Sequence, residues 1–139
     1  MILGSHNSLT YNRCTNLFSN LIRFTWRCQN VDIYAQYLIG VRCFDFRLYY
    51  DNGVWKAAHG HTKFNVNFYE ILHWLNNSEE QIYVRVVYEG GSEMGEHAFA
   101  MLCNEWEHTF SNIKFFEGTK KKGWKILYHF KYTPHPYIV

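Results

Sequence analysis

The stretch Val41-Arg42-Cys43-Phe44-Asp45-Phe46-Arg47-Leu48-Tyr49-Tyr50 decides how the chain is read. On a strand, side chains two apart share a face, so Cys43, Asp45 and Arg47 point one way and Phe44, Phe46 and Leu48 the other. The apolar set suits a layer of packed helices. The other set puts an acid and a guanidinium where neighbouring strands converge, which is costly unless the ions pair or are needed. This segment alone admits a structural ion pair as readily as a reactive site. The alternation recurs in Ile82 to Glu89, where Tyr83, Arg85, Val87 and Glu89 share one face, opposite Ile82, Val84, Val86 and Tyr88.

Working outward, Asp51-Asn52-Gly53 signals a turn into an extended segment, Val54 to Ala58. Phe68, Ile71, Leu72 and Leu75 fall at helical spacing, with Asn67 placed to cap the first turn and Glu70 three residues on. Phe99, Leu102, Cys103 and Trp106 mark a second helix of the same kind. A shorter helix follows Asn30 and stops at Gly40, and an aromatic-rich one is expected from Asn16 to about Trp26. Met1 to Leu3 reads as a short strand ending in the turn-forming run Gly4-Ser5-His6-Asn7-Ser8. Further strands are expected at Ile113 to Phe116 and Trp124 to Phe130, with an irregular tail from Thr133. This β-α-β-α-β order predicts α/β architecture with parallel strands in a single domain, residues 1–139. A complete eight-stranded barrel takes about 250 residues, so part of a second half would be lacking.

Hydrophobic residues make up 47% of the chain and aromatics 19%, which excludes a disordered composition. A formal charge of +2 excludes a general nucleic-acid binder, and Lys120-Lys121-Lys122 reads as a solvated turn. Cys14, Cys28, Cys43 and Cys103 lack the close spacing of a zinc site and are expected as reduced thiols. The sequence shows neither a secretory signal pattern nor an apolar run of transmembrane length. The expected location is cytoplasmic, or outside the cell by another export route.

The polar candidates gather at one end of the expected sheet. Glu89 precedes Gly90-Gly91 at the carboxyl end of its strand, where parallel sheets place their chemistry. His6 follows the first strand and His59 the extended segment after the second. Two histidines suit phosphodiester cleavage. A neutral imidazole takes a proton from the attacking hydroxyl, and a protonated one gives a proton to the leaving oxygen. An arginine beside them would hold the nonbridging oxygens through its fork of donors. Eight histidines are present, however, and spacing does not choose among them; His61 reads as a loop residue.

Leu3-Gly4-Ser5-His6-Asn7-Ser8 resembles the first catalytic-histidine motif of the phosphatidylinositol-specific phospholipase C X-domain superfamily. Gln36 with Gly40 to Leu48 resembles its second block, and Ala58-His59-Gly60 its third. The likeness covers roughly residues 2 to 90. It implies a distorted or incomplete TIM-type (β/α) barrel in which a substrate hydroxyl attacks, giving a cyclic phosphate. His6 would be general base, His59 general acid, and Arg47 the phosphate stabiliser, with Asp45 supporting Arg47 or a histidine. Asn7, Arg85 and Glu89 would contact substrate.

The motifs are mixed. Calcium-dependent members have Asn after the first histidine but an acidic metal ligand where this chain has Arg47; metal-free members have that arginine, usually with Asp after the histidine. The resemblance therefore favours no metal, with Asn7, Asp45 and Glu89 as the ligands if calcium or magnesium were used. The implied partner is a phosphodiester lipid or its headgroup, met by transient contact at a membrane surface. Beyond residue 90 the likeness fades, and His129, Tyr132 and His135 match the missing later residues by type only. Two other readings stand beside it: a metal-dependent enzyme like glycerophosphodiesterases or sphingomyelinase D, and a silent phospholipid-headgroup-binding module.

Overall fold

The computed structural model describes residues 2–12, 14–16, 21, 28–118 and 136–138. In chain order these give β1 (Leu3–Ser5), α1 (Ile33–Leu38), β2 (Cys43–Asp51), β3 (Val54–His59), β4 (Thr62–Phe64), α2 (Phe68–Asn76), β5 (Ile82–Gly91), α3 (Gly95–Thr109), β6 (Ile113–Gly118) and β7 (Pro136–Ile138). The helix expected from Asn16 to Trp26 lies almost entirely outside the described residues. So do Lys120 to Lys122, the strand expected at Trp124 to Phe130, and His129, Tyr132 and His135.

Strand β2 organises the sheet. Along one edge it pairs in parallel with β5, from Cys43 opposite Tyr83 to Tyr50 opposite Gly91. Its other edge is shared: Cys43 and Phe44 pair in parallel with β1, and Leu48 to Asp51 pair antiparallel with β3. Strand β6 lies parallel on the far side of β5. Four parallel strands thus stand in the order β1-β2-β5-β6, and among the described residues the sheet is open rather than closed. No helix among them is long and apolar enough to cross a membrane.

Local chemistry accounts for most elements. Asn52 (φ 47°) and Gly53 (φ 91°) both take the left-handed conformation, as a tight hairpin turn requires of this residue pair. The side chain of Asp32 caps α1 and that of Asn67 caps α2, accepting from Ala35 N and Glu70 N. Gly40, at φ 104°, ends the first of these helices as expected. The buried residues of α2 are Phe68, Ile71, Leu72 and Leu75, the predicted stripe. They join Phe44, Phe46, Leu48, Val84, Val86 and fully buried Trp106 in one core, each large side chain contributing about 1.5–3 kcal/mol. The helix layer therefore packs on one face of β2 and β5, leaving Cys43, Asp45, Arg47 and Arg85 on the other.

Three expectations are corrected. Gly4 and Ser5 belong to β1, pairing with Cys43 and Phe44, so the turn begins after them. The tail is not irregular throughout, because β7 pairs antiparallel with β1, Gly4 opposite Tyr137. A strand of three residues starting at a proline has too little periodicity to show in sequence; backbone pairing alone defines it. His59 does not follow the extended segment but ends it, and β3 turns back through Gly60-His61 into β4, with exposed His61 in the turn.

The register also slips where β5 leaves the site. Leu48 is opposite Tyr88, whereas Tyr49 is opposite Gly90, so Glu89 is the extra residue of a bulge. Gly90 takes φ 131°, and a Cβ on Gly91 would lie 2.5 Å from Tyr50 O. Gly91→Ala is accordingly expected to destabilise the chain by about 1–3 kcal/mol in urea unfolding. An unchanged midpoint would mean that the backbones of β2 and β5 do not approach this closely.

Candidate active site

The site is built where the turn after β1 meets the middle of β2. Ser8 N donates to Asp45 O (2.9 Å) and Asp45 N donates to Ser8 Oγ (2.8 Å), zipping the turn to the strand. Asn7, in a left-handed conformation at φ 47°, sends its backbone N–H to Asp45 Oδ2 at 2.9 Å. Below the turn, Gln36 donates to Ser8 O and accepts from Ser5 Oγ, so the second resembling motif supports the first. Thr10 Oγ1 donates to Asn7 O and accepts from Cys28 N (2.8 Å) and Gln29 N (3.0 Å). Gln29 Nε2 in turn donates to His6 O. These bonds fix the backbone on both sides of His6.

Arg47 is the hub. Its Nε donates to Asp45 Oδ2 (3.1 Å), Nη1 to Glu89 Oε1 (3.3 Å) and Nη2 to His6 Nε2 (2.7 Å). A guanidinium has no acceptor, so His6 Nε2 must present a lone pair, which makes His6 a neutral imidazole here. Burial works against the charge on Arg47, but Asp45 and then Glu89 outweigh it and raise its pKa above the ordinary arginine value. The side chains of Asp45 and Glu89 are 0% and 1% exposed against 15% for Arg47, so the guanidinium is the outermost of the three. Arg85 Nη1 lies 3.7 Å from Asp45 Oδ1 and its side chain is 4% exposed. Two carboxylates therefore balance two guanidiniums.

His59 enters from β3, half-buried, with Nδ1 3.7 Å from Cys28 Sγ. Burial pushes the Cys28 thiol up to about 11, against the opposing pull of the Arg47 charge and the Thr10 hydroxyl. All four cysteines are thiols.

The geometry thus brings His6, Asp45, Arg47 and Glu89 into direct contact, with Asn7 joined through its backbone and Arg85 through Asp45. Cys28, Gln29 and Thr10 are additions that sequence reasoning missed. A hydroxyl three residues after Asn7 is a recognisable turn-bonding signal. Nothing in the sequence links Cys28 to His59.

Solved structures with this arrangement of elements are known. The chain superposes on phosphatidylinositol-specific phospholipase C from Listeria monocytogenes with a TM-score of 0.64 and 19% identity, covering 86% of this chain and 51% of that one. The fold is phospholipase C-like. Two structures of the Staphylococcus aureus phosphatidylinositol-specific phospholipase C agree. One, of a mutant, gives a TM-score of 0.58 at 17% identity, covering 84% of this chain and 46% of that one. The other gives 0.61 at 18%, covering 95% and 51%. The chain spans about half the length of these phospholipase C structures. No family model matches the sequence, and no curated protein matches it.

Proposed function

We propose that the chain is a phospholipase C-like phosphodiesterase that cleaves a phosphodiester lipid by general acid-base catalysis with two histidines, without a metal. The observation that carries this reading is the 2.7 Å contact from Arg47 Nη2 to His6 Nε2, which joins a fixed positive charge to an imidazole lone pair. In the proposed reaction His6 Nε2 takes the proton of a substrate hydroxyl beside the phosphate. The freed oxygen attacks phosphorus, and His59 gives a proton to the leaving oxygen. Arg47, the outermost charge of the cluster, turns its donors to the nonbridging oxygens as negative charge grows there. Asp45 and Glu89 hold that guanidinium in place from behind, and the product is a cyclic phosphate. The barrel implied by the sequence motifs would place this site at the carboxyl ends of the parallel strands.

The alternative ligand set of Asn7, Asp45 and Glu89 does not fit a divalent cation. Asp45 Oδ2 and Glu89 Oε1 both already accept from Arg47, so an ion between them would lie against a guanidinium. The fixed charges of the cluster cancel, so one protonated histidine supplies the positive charge that matches a singly charged diester.

The deciding measurement is a product assay across phosphodiester lipids, run with and without EDTA. Release of a cyclic phosphate at the same rate in both is the expected result. Loss of turnover on chelation, restored by magnesium, would instead favour an enzyme like the metal-dependent glycerophosphodiesterases. Headgroup binding by folded protein without any turnover would favour a silent binding module.

A further inference from the structure

We propose that the Cys28 thiol is a positioning residue for His59, holding its ring through an Nδ1–H···S hydrogen bond so that Nε2 carries the proton that moves. The inference rests on the two-histidine reading above. His59 stands at the tip of a hairpin, where β3 turns through Gly60 (φ 60°) into β4. Proton transfer demands a fixed ring, because misplacement by about 1 Å can cost on the order of 10²-fold. Cys28 supplies a fixed point. It is 7% exposed, and its backbone N and that of Gln29 are both bound to Thr10 Oγ1. The adjoining Gln29 side chain binds His6 O, so one short segment holds the backbone of one histidine and touches the ring of the other.

The chemistry of sulfur suits the task. Burial keeps Cys28 a neutral thiol, which accepts and donates hydrogen bonds only weakly. A carboxylate at the same place would favour the imidazolium and oppose proton release, whereas a neutral thiol adds no charge beside the ring. As proposed, the imidazolium gives its Nε2 proton to the leaving oxygen and keeps the Nδ1 proton, donated to sulfur, throughout. The ring therefore need not turn between the two protonation states. Neutral His59 then carries its one proton on Nδ1, with a lone pair on Nε2 that is reloaded from water.

Nitrogen-15 NMR of the imidazole ring tests this directly. In the wild-type chain, neutral His59 is expected to show a protonated Nδ1 and an unprotonated Nε2. Cys28→Ala should move the proton distribution toward Nε2, and Cys28→Ser, whose hydroxyl also accepts a hydrogen bond, should restore it. Turnover should fall by roughly 10-fold in the alanine variant, less than the ~10²–10⁴-fold for losing a general acid, and recover in the serine variant. A wild-type ring protonated on Nε2, or ring signals indifferent to Cys28→Ala, would overturn the assignment. The wild-type spectrum decides even if the alanine variant does not fold. It also decides if the chain turns over no phosphodiester, in which case the catalytic reading fails separately.

Discussion

Replacing His6 by Ala is expected to lower release of cyclic phosphate by about 10²–10⁴-fold, and His59→Ala by a similar factor. The two losses should not multiply in the double variant, because the base and the acid act as a unit in one displacement. His6 is the sharper test. Its Nε2 accepts from Arg47 in the free chain, so the lone pair that would take the substrate proton is formed before substrate arrives. His6→Gln, which can still meet the guanidinium but has no basic nitrogen, should be as inactive as His6→Ala. The check is a single-turnover assay with the lipid that performs best in the chelator series. Unchanged turnover in both single variants would sink the two-histidine mechanism and leave the fold untouched.

What could be read from the sequence divides along a physical line. Alternation in β2 and β5 is a local property, and it correctly separated the core-facing Phe44, Phe46 and Val84 from Asp45 and Arg85. The stripe on α2, the cap at Asn67 and the Asn52-Gly53 turn are equally local, and all were legible. Structure that depends on long-range pairing was not. The bulge that makes Glu89 an extra residue depends on register with a strand some 40 positions away. The three residues of β7 form a strand only because β1 is beside them. Cys28 meets His59, the last residue of β3, only through the tertiary fold, and a scattered cysteine carries no signal of that. Selection of His6 and His59 among eight histidines came from motif resemblance; the geometry then supplied partners that the motifs do not name.

Asp45→Ala is expected to destabilise the chain by about 3–5 kcal/mol, measured by urea unfolding. The carboxylate is fully buried, and its Oδ2 accepts from both Asn7 N and Arg47 Nε, while Arg85 stands on the side of Oδ1. Removing it sets two guanidiniums against Glu89, takes an acceptor from the turn that carries His6, and leaves a cavity between strands. Against a total stability of about 5–15 kcal/mol this approaches unfolding. Asp45→Asn separates the causes: it keeps the shape and an acceptor oxygen but not the charge, and should cost less than the alanine variant. Activity should fall further than stability in the asparagine variant, since Arg47 would then lean toward Glu89 and away from His6. If alanine at this position cost under about 1 kcal/mol, the buried charges would have to be compensated from elsewhere. The cluster would then be a replaceable ion pair rather than the frame of the site.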